Sequence, residues 1–243
     1  MARTEETEWE VRCELAACYR AFALLGWTDL IYTHISARHP TRSDCYLINP
    51  YGLFFDEITA SNLIAVDFDG ARVSGEHPVN KEGHPIHSSV LRARSDVNWV
   101  LHSHTRAGMV VSCMKCGLLP LTQQAMFLRD WVAYHAWDLQ TASGECERLV
   151  ADLGRDKIAM ILHNHGLLSC GASAGAAFTT LYTLEMACAV QAEVVTSGAE
   201  WILPEADAID RTAAVGGPGG LDGVLEWKAM RRRLDRLDPS YKT

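Results

Sequence analysis

Apolar residues at Trp9, Leu15, Cys18, Phe22 and Leu25 recur with the spacing of one helical face, and Gly26 follows as a stop, so a first amphipathic helix is expected over 5–25. Short β-like runs come next, at 45–49, 63–68, 97–104 and 159–164, the last leading into 166–170. Turn sequences punctuate them at Asn49-Pro50-Tyr51-Gly52 and Asp67-Phe68-Asp69-Gly70. Residues 82–94, 105–116 and 143–153 read as helices, and Ser173 as the N-cap of a long helix ending near Gly198. Helices separate some strands but not all, which predicts a three-layer α/β arrangement with a largely antiparallel or mixed sheet in preference to a doubly wound parallel one. Gly216-Gly217-Pro218-Gly219-Gly220 reads as a linker between a domain at 1–210 and a helical tail within 211–243. The tail's Arg231-Arg232-Arg233 is either a solvated face or a surface docking on an acidic neighbouring subunit.

A net charge of −8 over 243 residues argues against a general nucleic-acid binder and leaves small molecules as the expected partners. The N-terminal MARTEETEWEVR lacks the apolar stretch of a signal peptide, and no run is long and apolar enough to span a bilayer, so a cytoplasmic protein without membrane contact is expected. Eight cysteines are scattered through the predicted elements, as core residues would be. Cys113-Met114-Lys115-Cys116 has no second such pair and falls in a predicted helix, so no redox or metal role is assigned to it.

The histidines change the picture. Two predicted strands end in pairs, His102-Ser103-His104 and His163-Asn164-His165. Side chains at i and i+2 of a strand share a face, so each pair would present two imidazoles in one direction. Imidazole suits zinc, iron, copper and nickel, and three protein ligands with one open position make a catalytic site. Neutral imidazoles leave the full charge of a divalent ion uncompensated, which makes it a strong Lewis acid toward a carbonyl. A proton must also move, and the segment before the His102 strand offers Glu82, His84 and His87.

The order GWTDLIYTHIS (26–36), LINPYG (47–52), EGHPIHSSVLRARSDVNWVLHSHTRAG (82–108) and ILHNHGLLSCG (161–171) resembles the class II aldolase/adducin family over roughly residues 10–210. The resemblance implies a three-layer α/β/α subunit in a cyclic homotetramer, with its site near a subunit interface. It implies one divalent ion, usually zinc with Fe2+ or Mn2+ as alternatives, on His102, His104 and His165. His163 has no histidine counterpart in most relatives and is expected to act as a fourth ligand or a proton shuttle.

Departures from the family matter as much. A Ser-Ser-Glu triplet that supplies the acid/base in the sugar-phosphate aldolases falls on Lys81-Glu82-Gly83, which leaves Glu82 as the substitute carboxylate. The phosphate-binding Asn and Thr-Gly fall on His34 and Tyr51-Gly52. A sugar phosphate is therefore not expected; His34 and Lys81 suit a carboxylate, and Tyr51 a bulkier substrate. The resulting expectation is a metal-dependent lyase, performing aldol cleavage or decarboxylation on a small hydroxy- or keto-acid or carbonyl compound. The alternatives are an aldolase-like non-haem iron oxygenase for an aromatic keto- or hydroxy-acid and a non-catalytic adducin-like module. Adducin heads do not keep the metal histidines.

Overall fold

The computed structural model describes residues 7–139 and 142–243, so the first two positions of the helix expected over 5–25 lie outside the described residues. The first helix, α1, spans Glu8–Leu25. Thr7 caps it by accepting the Glu10 amide while the Glu10 side chain returns to the Thr7 backbone, and Gly26 ends it in the left-handed conformation at φ 70°. Strands follow at His34–Arg38 (β1), Cys45–Ile48 (β2), Ile64–Asp67 (β3) and Arg72–Ser74 (β4). Helix α2 (His84–Ala93) leads to β5 (Trp99–Ser103), then α3 (Arg106–Ser112), α4 (Gln123–Leu128), β6 (Val132–His135) and α5 (Glu145–Leu153). Strands β7 (Ala159–Leu162) and β8 (Gly166–Gly171) precede the long α6 (Ala174–Ser197), then α7 (Ala206–Ala214) and α8 (Val224–Leu237).

The strands form one eight-stranded sheet in the order β4-β3-β2-β1-β5-β8-β7-β6. Among the described residues only β6 and β7 pair in parallel, joined by a crossover through α5; every other neighbouring pair is antiparallel. Strand alternation splits the interior in two. Ile35, Leu47, Leu101, Ile161 and Leu167 pack with α1, α6 and α8, whereas Tyr46, Val100, Met160 and Leu168 pack with α2 and α5. This is the expected three-layer, largely antiparallel architecture.

Three local readings change. Helix α3 stops at Ser112, and Gly117 turns the chain at φ 62°, so Cys113 and Cys116 stand exposed beyond the helix instead of inside it. The glycines 216–220 are not an open tether: Gly217–Gly219 form a 3-10 turn, and a Cβ on Gly216 or Gly217 would meet the Phe127 backbone or the Trp131 ring at 2.2 and 2.1 Å. Arg231 of α8 pairs with Glu14 of the same chain's α1, while Arg232 and Arg233 are exposed, so only part of the basic run is the expected solvated face. Tyr241, fully buried, accepts from Arg231 Nε at 3.0 Å, and its carbonyl takes the Ala60 amide. No helix among the described residues is long and apolar enough to cross a membrane.

Candidate metal centre

His102 is the penultimate residue of β5, at the middle of the sheet, and His104 lies just past its end. The alternation that buries Val100 against α2 turns His102 toward the same layer, 1% exposed. His165 arrives from the connection between β7 and β8, and the ligand atoms of His102, His104 and His165 all lie within 4.8 Å of one another. Gly166 lets that connection approach: a Cβ there would sit 2.3 Å from the Ser103 carbonyl oxygen.

Two acceptors fix the tautomers of the β5 pair. His102 Nδ1 lies 2.9 Å from the Leu167 carbonyl and His104 Nδ1 lies 2.9 Å from the Asp29 carboxylate. Neither partner can donate, so both Nδ1 atoms carry the proton and both Nε2 atoms are left as lone pairs in the neutral rings. Those Nε2 atoms face each other at 3.0 Å. Without a proton between them this is a repulsive approach, and a cation shared by the two lone pairs resolves it. Zinc bonds of about 2.0–2.1 Å at a tetrahedral angle would set two imidazole nitrogens about 3.3 Å apart, close to this spacing. The residues therefore fit a divalent ion, which His102, His104 and His165 would hold.

Electrostatics favour the unprotonated ligands. Burial, reinforced by the neighbouring imidazoles His165, His34 and His104, holds His102 well below the usual histidine range. Burial first, then His104 and His135, pushes His165 down to about 4. The His165 ring meets Trp137 edge-on at 5.1 Å.

The second histidine pair does not share a strand face. Residues 163–165 form the turn that reverses β7 into β8, with Asn164 left-handed at φ 59°. His163 swings to the other side: its Nδ1 donates to the Ser112 carbonyl at 3.0 Å and its ring stacks on Tyr134. It lines, with His165, Trp137 and Glu145, a cavity of about 20 Å³, room for about one water. His135, also in that wall, bridges Asp152 at 2.7 Å and Glu145 at 2.8 Å.

His34 belongs beside the triad. It pairs in register with His102 across β1 and β5, and the two rings lie 4.9 Å apart. Its Nδ1 meets His87 Nε2 at 2.5 Å, and His87 Nδ1 meets the Ser36 hydroxyl, giving a buried chain Ser36–His87–His34 whose proton order can run in either direction. Gly83 makes room for it, since a Cβ there would lie 2.3 Å from His34 Cδ2. Glu82 and Lys81 are exposed on the loop before α2, where the Asn80 side chain accepts the amides of Glu82 and Gly83. Tyr51 is half-buried and its amide bonds the Pro78 carbonyl. Sequence reasoning missed Asp29, because an acid 75 residues from its histidine has no periodic or motif signal.

The chain is thus a three-layer α/β/α domain in which three imidazoles converge beside its central strand β5. The family described as Class II Aldolase and Adducin N-terminal domain matches residues 13–192, and the chain belongs to it. A Pseudomonas aeruginosa protein named provisionally as a class 2 aldolase is 46% identical over 99% of this chain and 95% of its own length. Mouse alpha-adducin is 37% identical over 96% of this chain, which spans 34% of that protein. A crystal structure of an aldolase II superfamily protein from Pseudomonas syringae superposes with a TM-score of 0.92 at 45% identity, covering 99% of this chain and 98% of that one. The L-fuculose 1-phosphate aldolase of Glaciozyma antarctica reaches a TM-score of 0.84 at 26% identity, covering 100% and 97%.

Proposed function

We propose that this chain is a divalent-metal-dependent lyase that performs aldol cleavage or decarboxylation on a small hydroxy- or keto-acid or carbonyl compound other than a sugar phosphate. The observation that carries the reading is the opposed pair of Nε2 lone pairs on His102 and His104, each fixed from behind by an acceptor. A divalent ion at that point, zinc by preference over Fe2+ or Mn2+, supplies a Lewis acid for a substrate carbonyl.

The chain's own residues supply the rest. His34, held neutral by burial, borders His102 and offers a hydrogen bond to substrate. Lys81 offers a cation for a carboxylate, and Tyr51 an aromatic wall. Glu82 is assigned the proton that must move, with His163 second. Glu82→Gln should lower turnover about 10²–10⁴-fold with metal retained, the usual contribution of such a group; turnover equal to wild type would pass the role to His163. The assembly is proposed to be a cytoplasmic homotetramer, and the exposed run Trp201-Ile202-Leu203 is apolar surface a second copy would cover.

The resemblance to alpha-adducin supports a second, non-catalytic reading. Metal analysis of protein purified without added metal separates the two. About one divalent ion per chain, lost in His102→Ala, together with carbonyl release from a panel of hydroxy- and keto-acids, supports the lyase. Iron with oxygen uptake on an aromatic keto-acid would instead favour an oxygenase. A metal-free protein indifferent to His102→Ala would sink both enzymatic readings.

A further inference from the structure

The reverse face of β5 carries polar groups that the metal centre does not use. Strand alternation sends Ser103 away from α2, into the layer of α1, α3 and α6, where it is fully buried and its hydroxyl has no partner. On the same side Glu185, 8% exposed, projects from the middle of α6 between Leu181, Leu184 and Cys188. A carboxylate so placed is costly unless it is paired with donors. Burial pushes its pKa up, and two donors oppose that shift: the Thr105 hydroxyl and the Gly108 amide.

Those two donors belong to the start of α3. Thr105 is the N-cap residue, yet its side chain makes no capping bond to its own helix. Glu185 supplies the missing acceptor from another helix, at the end where free amides and the helix dipole favour negative charge. The fit is tight: a Cβ on Gly108 would lie 2.7 Å from Thr105 Oγ1 and 2.6 Å from Leu167 Cγ. Leu167 is the residue whose carbonyl orients His102, and Thr105 directly follows His104. The clamp therefore holds the backbone on which both β5 imidazoles stand.

We propose that Glu185 is a positioning residue for the metal centre, fixing the β5–α3 junction so that His102 and His104 converge. This rests on the reading of His102, His104 and His165 as metal ligands. The test is zinc titration of the metal-stripped full-length protein against a competing chelator. Glu185→Ala should weaken zinc binding by up to about 10-fold, the low end of the loss for a partner bonded directly to a ligand, because it acts through the backbone of Thr105. Glu185→Gln, whose amide oxygen still accepts, should recover most of it. Ser173→Ala, which removes the cap at the start of the same α6, should lower the melting temperature and leave affinity unchanged. If Glu185→Ala does not fold, Thr105→Val tests the same clamp from its other side. Unchanged affinity in Glu185→Ala, or an equal loss in Ser173→Ala, overturns the proposal.

A second readout needs no metal. In the metal-free protein the His104 Nδ1 proton, held by Asp29, should shift in Glu185→Ala while the remote His39 signals stay in place. Should wild type bind no zinc, the metal reading falls and this spectrum still decides the clamp: an unmoved His104 signal overturns it.

Discussion

The two histidine pairs, alike in sequence, do opposite things in space. His102 and His104 stand at the end of a central strand, braced from behind by the Leu167 carbonyl and Asp29, and their Nε2 atoms meet. His163 and His165 straddle a left-handed Asn164, so one ring joins the triad and the other bonds Ser112. A ligand pair is thus made by the sheet's pleat and unmade by a single turn residue. Preorganisation differs too: the β5 rings have fixed tautomers, whereas His165 is located by a backbone turn and the edge of Trp137.

The largest effect expected is at the ligands. His102→Ala should reduce metal affinity well beyond the roughly 10–100-fold of an outlying partner, whereas His163→Ala should leave stoichiometry intact by metal analysis. Equal losses in the two variants would erase the distinction between the pairs.

Acid should expose the next difference. His165 titrates at about 4 in the fold, and His34, His87 and His102 are all depressed, against about 6.5 in an unfolded chain. A depressed histidine leaves the unfolded state holding more protons, so this stability is fully present above about 6.5 and is lost as pH falls toward about 4. His165 alone contributes about 3 kcal/mol to that loss. Denaturant melts of metal-free protein across this window should show it, and His165→Gln should flatten the slope.

Asp29→Asn comes third. It keeps a hydrogen bond to His104 but removes the charge, and zinc affinity should fall about 10-fold, the low end for such partners. Smallest of all, Asn164→Gly should change stability by less than about 1 kcal/mol, because glycine adopts the left-handed turn without strain but loses more entropy on folding. A large loss there would mean that the Asn164 side chain, which reaches Cys113 Sγ at 3.6 Å, matters more than its backbone.

Much of the scaffold is legible where local chemistry decides it. Ser173 and Gly198 bracket α6 because an N-cap hydroxyl and a left-handed glycine act within one turn. The apolar run Ala159–Leu162 marks β7 correctly but says nothing of where the chain reverses; antiparallel pairing with β8 from Gly166 forces the turn onto 163–165. The Asn-His-Gly that follows was its local signal, since asparagine tolerates φ above zero. Asp29 and Glu185 stayed hidden for a different reason: their partners lie 75 and 80 residues away, and only the assembled sheet and helices bring them together.

The ladder between β5 and β8 spans long loops: His102 meets its Leu167 acceptor across 65 residues. Loop closure of that length must be met before the contact repays it, so the centre of the sheet is expected to close late in folding. The three imidazoles come into one place only at that closure. A divalent ion held there would bind the folded chain and not its precursors, and would add to the domain's apparent stability as its concentration rises. On the proposed metal reading the site is in that sense the sheet's keystone, and a chelator should lower the melting temperature of the fold itself.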